Sequence, residues 1–138
     1  MRSPRSRTNV LVVDASVIAP AVADGGTDGE ACRARIKGQS LAAPDLLRVE
    51  AVSVIRRQFL NGALTGTQAT NAIEDLLNLP IVVYPTSALL RRAWELRDNT
   101  TAYDACYVAL AEALGCPLAT ADQRLANAPG VRCEFDLV

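Results

Sequence analysis

The sequence predicts one α/β domain built around a parallel sheet. Residues 9–14, "NVLVVD", form a short and nearly continuous apolar run, as expected of a central strand covered on both faces. Strand-like and helix-like stretches then alternate to the C-terminus, which is the pattern of successive βα units. No linker, repeat or low-complexity tract interrupts the 138 residues, and a chain of that length buries about two thirds of its unfolded surface in one core.

The elements follow in order. The first strand ends at Asp14, and Ser16 is placed to cap a short helix reaching about Asp24, closed by Gly25 and Gly26. A second helix covers 28–37. After an apolar step at 41–43, Pro44 suits the first turn of a helix whose apolar positions Leu46, Leu47, Val49, Val54 and Phe59 run to Asn61 and Gly62. A helix over 67–77 leads into a strand at 81–84. Thr86 or Ser87 starts the next helix, which ends near Asp98. The segment "TAYDACYVALAEALG" is helical from Thr101, apolar nearly all round and therefore buried, with Gly115 ending it and Pro117 preventing continuation. "PLAT" is a strand ending at Thr120, "DQRLANA" a short helix capped by Asp122, and "VRCEF" the last strand.

Composition removes several chemistries. The chain has no histidine, so Ser-His-Asp and Cys-His hydrolases, His-based nucleases and His-containing zinc sites are excluded. Its single lysine, Lys37, lies in no glycine-rich phosphate loop. A formal net charge of -1 argues against binding polyanions by bulk charge, so any such ligand is held locally. Cys32, Cys106, Cys116 and Cys133 are far apart and form no C-x-x-C pair, as expected of buried free thiols in a reducing cytoplasm. Arg2, Arg5 and Arg7 before an apolar stretch ending in Ala21, Val22 and Ala23 imitate a signal peptide, but Asp14 interrupts that stretch and argues against export. Residues 1–8 are expected to be a flexible basic arm, and no segment is long and apolar enough to span a membrane.

Four acids stand out by context. Asp14 and Asp122 lie near the ends of predicted strands, Glu50 lies within a helix, and Asp104 lies in the first turn of another. Each has a purely structural reading. Asp14 can bond the amides that follow it, Asp104 can form a capping arrangement with Thr101, Asp122 can cap its helix, and Glu50 can pair with an arginine at the surface. Taken together those readings weaken, because Asp14 and Asp104 are embedded in segments whose other residues favour burial and an unpaired buried carboxylate is expensive. A divalent cation removes that cost, since hard ions such as Mg²⁺ take oxygen ligands and pair with one or two carboxylates and a substrate phosphate.

These acids carry a resemblance. "VVDASV", "APDLLRVEAVSVIRR", "TAYDACYVALAEALG" and "LATADQRL" are similar in order, spacing and flanking apolar residues to the acidic segments of PIN-domain proteins, and most of all to the VapC-type toxins of bacterial toxin-antitoxin pairs. The similarity runs from about Asn9 to Val138. It implies a three-layer α/β/α sandwich with a central parallel sheet, with 9–138 as a single PIN-like nuclease domain. The implied activity is Mg²⁺- or Mn²⁺-dependent endoribonuclease cleavage of RNA by the toxin of a type II toxin-antitoxin system. By motif, Asp14, Glu50, Asp104 and Asp122 carry over as catalytic and metal-binding acids, and Ser16 and Thr120 as supporting hydroxyls. The resemblance further implies a VapB-type antitoxin partner, a homodimer and a cytoplasmic location.

In that scheme the acids hold one or two cations, which neutralise the scissile phosphate and acidify a water nucleophile, so the missing histidine is no obstacle. The expected products are a 5′-phosphate and a 3′-hydroxyl. Arg91, Arg92, Arg97, Arg124 and the N-terminal arm are candidate phosphate contacts, while Glu112 and Asp45 suit helix-surface and N-terminal capping roles. Receiver-type and haloacid-dehalogenase-type phosphoryl-transfer domains fit poorly. The first needs paired acids at the first strand, and the second needs an Asp where Ser16 stands. A non-catalytic PIN-fold module binding RNA or protein is the alternative, and loss of acids would be its mark.

Overall fold

The computed structural model describes residues 9–138; the basic arm with Arg2, Arg5 and Arg7 lies outside the described residues. Its elements are β1 (Val10–Val13), α1 (Ala15–Ala23), α2 (Thr27–Ile36), β2 (Ser40–Pro44), α3 (Leu47–Leu60), α4 (Gly66–Asn78), β3 (Ile81–Tyr84), α5 (Leu90–Glu95), α6 (Ala102–Leu114), β4 (Leu118–Thr120), α7 (Gln123–Ala126) and β5 (Phe135–Leu137). A 3-10 turn, Thr86–Leu89, leads into α5.

The five strands form one sheet in the order β3-β2-β1-β4-β5, every neighbouring pair parallel. β1 is central, and Leu11, Val12 and Val13 are all at most 1% exposed, which is why this strand reads as a continuous apolar run and not as an alternating one. α1 packs with α2, α3 and α4, while α6 packs on the sheet through β1, β2 and β4 and carries α5, giving the α/β/α layering. Every residue of α6 from Ala105 to Ala111 is buried. Its last turn closes on Gly115, whose φ of 66° is the left-handed conformation that favours glycine at a helix C-terminus.

Several local expectations are corrected. Asp14, not Ser16, caps α1, because its side chain accepts the Ser16 amide. Pro44 ends β2 instead of opening α3: it sits in parallel register with Tyr84, at a strand terminus where its missing N–H breaks little of the ladder. Asp45 caps nothing with its side chain; its amide donates to the Tyr84 carbonyl at 2.8 Å, and α3 begins without a side-chain cap. The inward stripe of α3 is Leu47, Ala51 and Ile55, one residue per turn, so Val49 and Phe59 face outward. The last strand begins only at Phe135, the final residue of "VRCEF", and runs to Leu137, with Leu118 as the partner of Phe135. The four cysteines are unpaired, as expected, with Cys32, Cys106 and Cys116 buried and Cys133 half-buried. Among the described residues, no helix is long and apolar enough to cross a membrane.

Candidate active site

The strand order sets where a ligand belongs. From β1 the chain winds outward through β2 and β3, then returns past β1 to β4 and β5. The direction of winding reverses between β1 and β4, and the carboxyl ends of those strands open a crevice. Asp14 follows β1 there, Thr120 ends the neighbouring β4, and Asp122 lies two residues further on.

Asp14 is 6% exposed and held by hydroxyls from both sides. Its Oδ1 accepts from the Ser16 amide at 3.0 Å and the Ser16 hydroxyl at 2.5 Å, and its Oδ2 accepts from the Thr120 hydroxyl at 2.6 Å. Ser16 Oγ also accepts the Ala121 amide at 2.8 Å, and Thr120 Oγ1 the Asp122 amide at 3.1 Å. The two supporting hydroxyls therefore tie the end of β1 to the turn after β4, fixing the distance between the segments that bear Asp14 and Asp122. Thr120 is completely buried, so its hydroxyl has no alternative partner in water.

Glu50 reaches the same region from the first turn of α3, where it is half-buried and accepts a hydrogen bond from the Tyr107 hydroxyl of α6. Among the described residues no arginine pairs with it, and its partner is the Tyr107 hydroxyl. Tyr107 is 1% exposed and was not singled out from the sequence. A signal was present: it stands three residues after Asp104 on one helix, close to the same face.

Asp104 and Asp122 keep their structural roles as well. The Asp104 amide donates to the Thr101 hydroxyl at 3.1 Å, one half of the capping arrangement. Asp122 Oδ1 accepts the Arg124 and Leu125 amides at 3.0 and 3.3 Å, capping α7, while its Oδ2 lies 3.6 Å from the Arg124 guanidinium. Both acids line an open hollow of about 300 Å³ together with Arg97, Thr100 and Arg124. A larger hollow, about 480 Å³, lies at the far end of α6 around Glu112, Gly115 and Arg132 and contains none of the four acids.

Electrostatics link the acids into one site. Burial pushes the Asp14 carboxyl above its ordinary value despite the bonds from Ser16 and Thr120, and the charge of Asp104 adds to the rise. Burial raises Glu50 too; the Tyr107 bond opposes this, and the charges of Asp104 and Asp14 add to it. Asp104 is raised by burial and then by Asp122, with Thr101 and Arg124 pulling the other way. Burial and the Glu50 carboxylate keep the Tyr107 hydroxyl protonated, so it remains a donor.

Negative charge is thus drawn together with little compensation: among the described residues no ion pair reaches Asp14, Glu50 or Asp104, and only the more distant Arg124 eases Asp104. An all-oxygen donor set with largely uncompensated charge fits a hard divalent cation. Among the described residues no three acids converge tightly enough to enclose an ion by themselves, so waters or substrate oxygens would have to complete its shell.

Of the candidate phosphate contacts, Arg97 and Arg124 line the acidic hollow. Arg92 does not: it is committed to Glu112, Glu95 and the Gly130 carbonyl, and Glu112 is likewise its partner and not a solvated surface acid.

The model of the PIN domain family matches residues 11–131, a span containing all four acids. Ribonuclease VapC1 of Mycobacterium tuberculosis is 43% identical over 128 residues, covering 92% of this chain and 96% of that protein. The crystal structure of Mycobacterium tuberculosis VapC20, described as a sarcin-ricin loop cleaving toxin, shares the fold with a TM-score of 0.67 at 16% identity, covering 88% of this chain and 96% of that one. VapBC2 from Rickettsia felis, solved bound to a DNA fragment from its promoter, matches with a TM-score of 0.61 at 12% identity, covering 91% of this chain and 98% of that one. The chain belongs to the PIN-domain family, and within it to the VapC ribonucleases.

Proposed function

We propose that this protein is the toxin of a type II toxin-antitoxin pair, an endoribonuclease that uses Mg²⁺ or Mn²⁺ held by Asp14, Glu50, Asp104 and Asp122. The observation that carries the reading is the mutual electrostatic influence of Asp14, Glu50 and Asp104 near the switch point of the sheet, with no basic side chain among the described residues in an ion pair with any of them. Gathered acids of this kind repel an RNA phosphate unless a cation intervenes.

When bound, the cation supplies charge neutralisation at the scissile phosphate and a water acidified toward neutral pH. The chain's own residues do the rest. Ser16 and Thr120 hold the Asp14 carboxylate in one orientation, with lone-pair capacity left on Oδ2. Tyr107 positions Glu50 from the neighbouring helix. Arg97 and Arg124, at the rim of the hollow shared by Asp104 and Asp122, supply positive charge for the RNA backbone. Hydrolysis of this type leaves a 5′-phosphate and a 3′-hydroxyl.

The same reading includes a VapB-type antitoxin as partner, a homodimer and a cytoplasmic location. It is supported by the family and by relatives named VapC over most of the chain. The test is cleavage of labelled RNA by purified protein with Mg²⁺ or Mn²⁺, with chelator, and as Asp14→Asn. Cleavage that needs the ion and Asp14 is expected; cleavage that survives both chelator and substitution, or yields a 2′,3′-cyclic phosphate, contradicts the proposal.

A further inference from the structure

Beside the acids lies a surface of which the reaction scheme uses only Arg97. Trp94, the only tryptophan, is 67% exposed on α5. Arg97 lies over it, its guanidinium carbon 4.6 Å from the ring centroid and its Nη1 donating to the Trp94 carbonyl at 2.9 Å. Leu90, Ala93, Trp94, Arg97, Thr100 and Ala102 line an apolar hollow of about 310 Å³. Arg97 and Thr100 also line the hollow that contains Asp104 and Asp122, so the two hollows share one wall.

The chemistry of the two sides differs in a way that matches a nucleotide. On one side are acids that accept a phosphate through a cation, with Arg97 and Arg124 at the rim. On the other is an exposed indole beside a guanidinium plane, the pair of groups on which unpaired bases stack irrespective of sequence. A large aromatic left in water gains nothing for folding, and its ring is already oriented by Arg97.

We propose that Trp94 and Arg97 form a stacking subsite for an unpaired RNA base flanking the scissile phosphate. The proposal rests on the ribonuclease reading and deepens it, naming single-stranded RNA as the substrate form that this site grips. An antitoxin segment or a second copy of the chain is the competing occupant. Continuity with the acidic hollow through Arg97 favours the nucleotide.

A single tryptophan makes the test direct. The Asp104→Asn protein is titrated with a short mixed-sequence single-stranded RNA while Trp94 emission is followed, with anisotropy of labelled RNA reporting binding independently. Saturable quenching that tracks the anisotropy is expected. In the otherwise wild-type chain, Trp94→Ala raises KM for RNA cleavage by about 5- to 150-fold and leaves kcat largely intact, and Trp94→Phe recovers part of the loss. RNA that binds without altering Trp94 emission overturns the proposal, as does unchanged KM in Trp94→Ala. Emission that responds to dilution or to antitoxin but not to RNA assigns the face to a protein and likewise overturns it. If the wild-type protein cleaves no RNA with Mg²⁺ or Mn²⁺, the ribonuclease reading itself has failed, a result separable from the others.

Discussion

The Tyr107 hydroxyl of α6 donates a hydrogen bond to the Glu50 carboxylate of α3, joining the two helices that bring Glu50 and Asp104 to the end of the sheet. Tyr107 is buried and its phenol is held protonated, so the bond persists across the physiological range. Removing it leaves Glu50 half-buried with one partner fewer, which raises its pKa further and frees its rotamer. Tyr107→Phe is therefore expected to lower cleavage by about 10- to 100-fold, with activity restored only at high cation concentration. The fold should survive, at a cost of about 1 kcal/mol. Steady-state cleavage over a Mn²⁺ titration, beside urea unfolding, checks both parts; full activity at low Mn²⁺ would show that Tyr107 does not position Glu50.

Thr120→Val tests the clamp on Asp14. The valine keeps the volume but removes the 2.6 Å bond to Asp14 Oδ2 and the acceptor of the Asp122 amide. Both groups lie where water does not easily replace the hydroxyl, so a loss of about 1–3 kcal/mol in unfolding free energy is expected, together with reduced kcat. Thr120→Ser keeps the hydroxyl and should recover most of the activity. Equal activity for the valine and serine variants would show that Thr120 serves packing alone.

How far the sequence reveals this site depends on which physical signal each residue sends. Asp14 was legible because it interrupts a run that is otherwise apolar and largely buried, and α6 because it is apolar nearly all round. Tyr107 was hidden for the same reason: in a helix buried from Ala105 to Ala111, an aromatic reads as core, and nothing local reveals that its hydroxyl meets an acid 57 positions away. Pro44 misled because a proline at a helix start and a proline at a strand end share one φ, and only pairing with Tyr84 decides between them. Arg92 and Arg97 look alike in sequence. Their difference lies in their partners, Glu112 of another helix for one and the neighbouring Trp94 ring for the other.

Asp104→Asn should separate stability from activity. Burial and Asp122 hold the Asp104 carboxyl above its ordinary value, so the ionised form is disfavoured in the folded chain. The sign follows: stability is greatest at low pH and is lost as pH rises through the raised folded value, leaving the ion-free protein under repulsion at pH 7. Neutralising Asp104 is therefore expected to raise Tm in chelator by a few degrees, about 1 kcal/mol, while abolishing cleavage. Added Mn²⁺ should raise the wild-type Tm and leave the variant nearly unmoved. Thermal scans with and without Mn²⁺ decide it, and a variant less stable than wild type in chelator would contradict the repulsion argument.

Glu112 supplies the opposite sign at the other end of α6. Burial tends to raise its carboxyl, but the Arg92 guanidinium, bonded at 2.7 and 3.2 Å, and the Arg132 amide at 2.7 Å outweigh it, and the net value is lowered. Only 21% of the Arg92 side chain and 13% of the Glu112 side chain are exposed, so solvent screening is limited. A carboxyl lowered on folding contributes stability that is complete above its ordinary value, about 4.3, and is lost as pH falls through the lowered folded value. Glu112→Gln should thus cost about 2 kcal/mol at pH 7, lowering Tm by several degrees without touching the four acids. Below pH about 4 the wild-type advantage should shrink. The raised acids Asp14, Glu50 and Asp104 titrate in both proteins and cancel in the difference. Paired thermal scans from acid to neutral pH measure that difference, and a gap that stays constant throughout would show that Glu112 stabilises α6 by packing instead of charge.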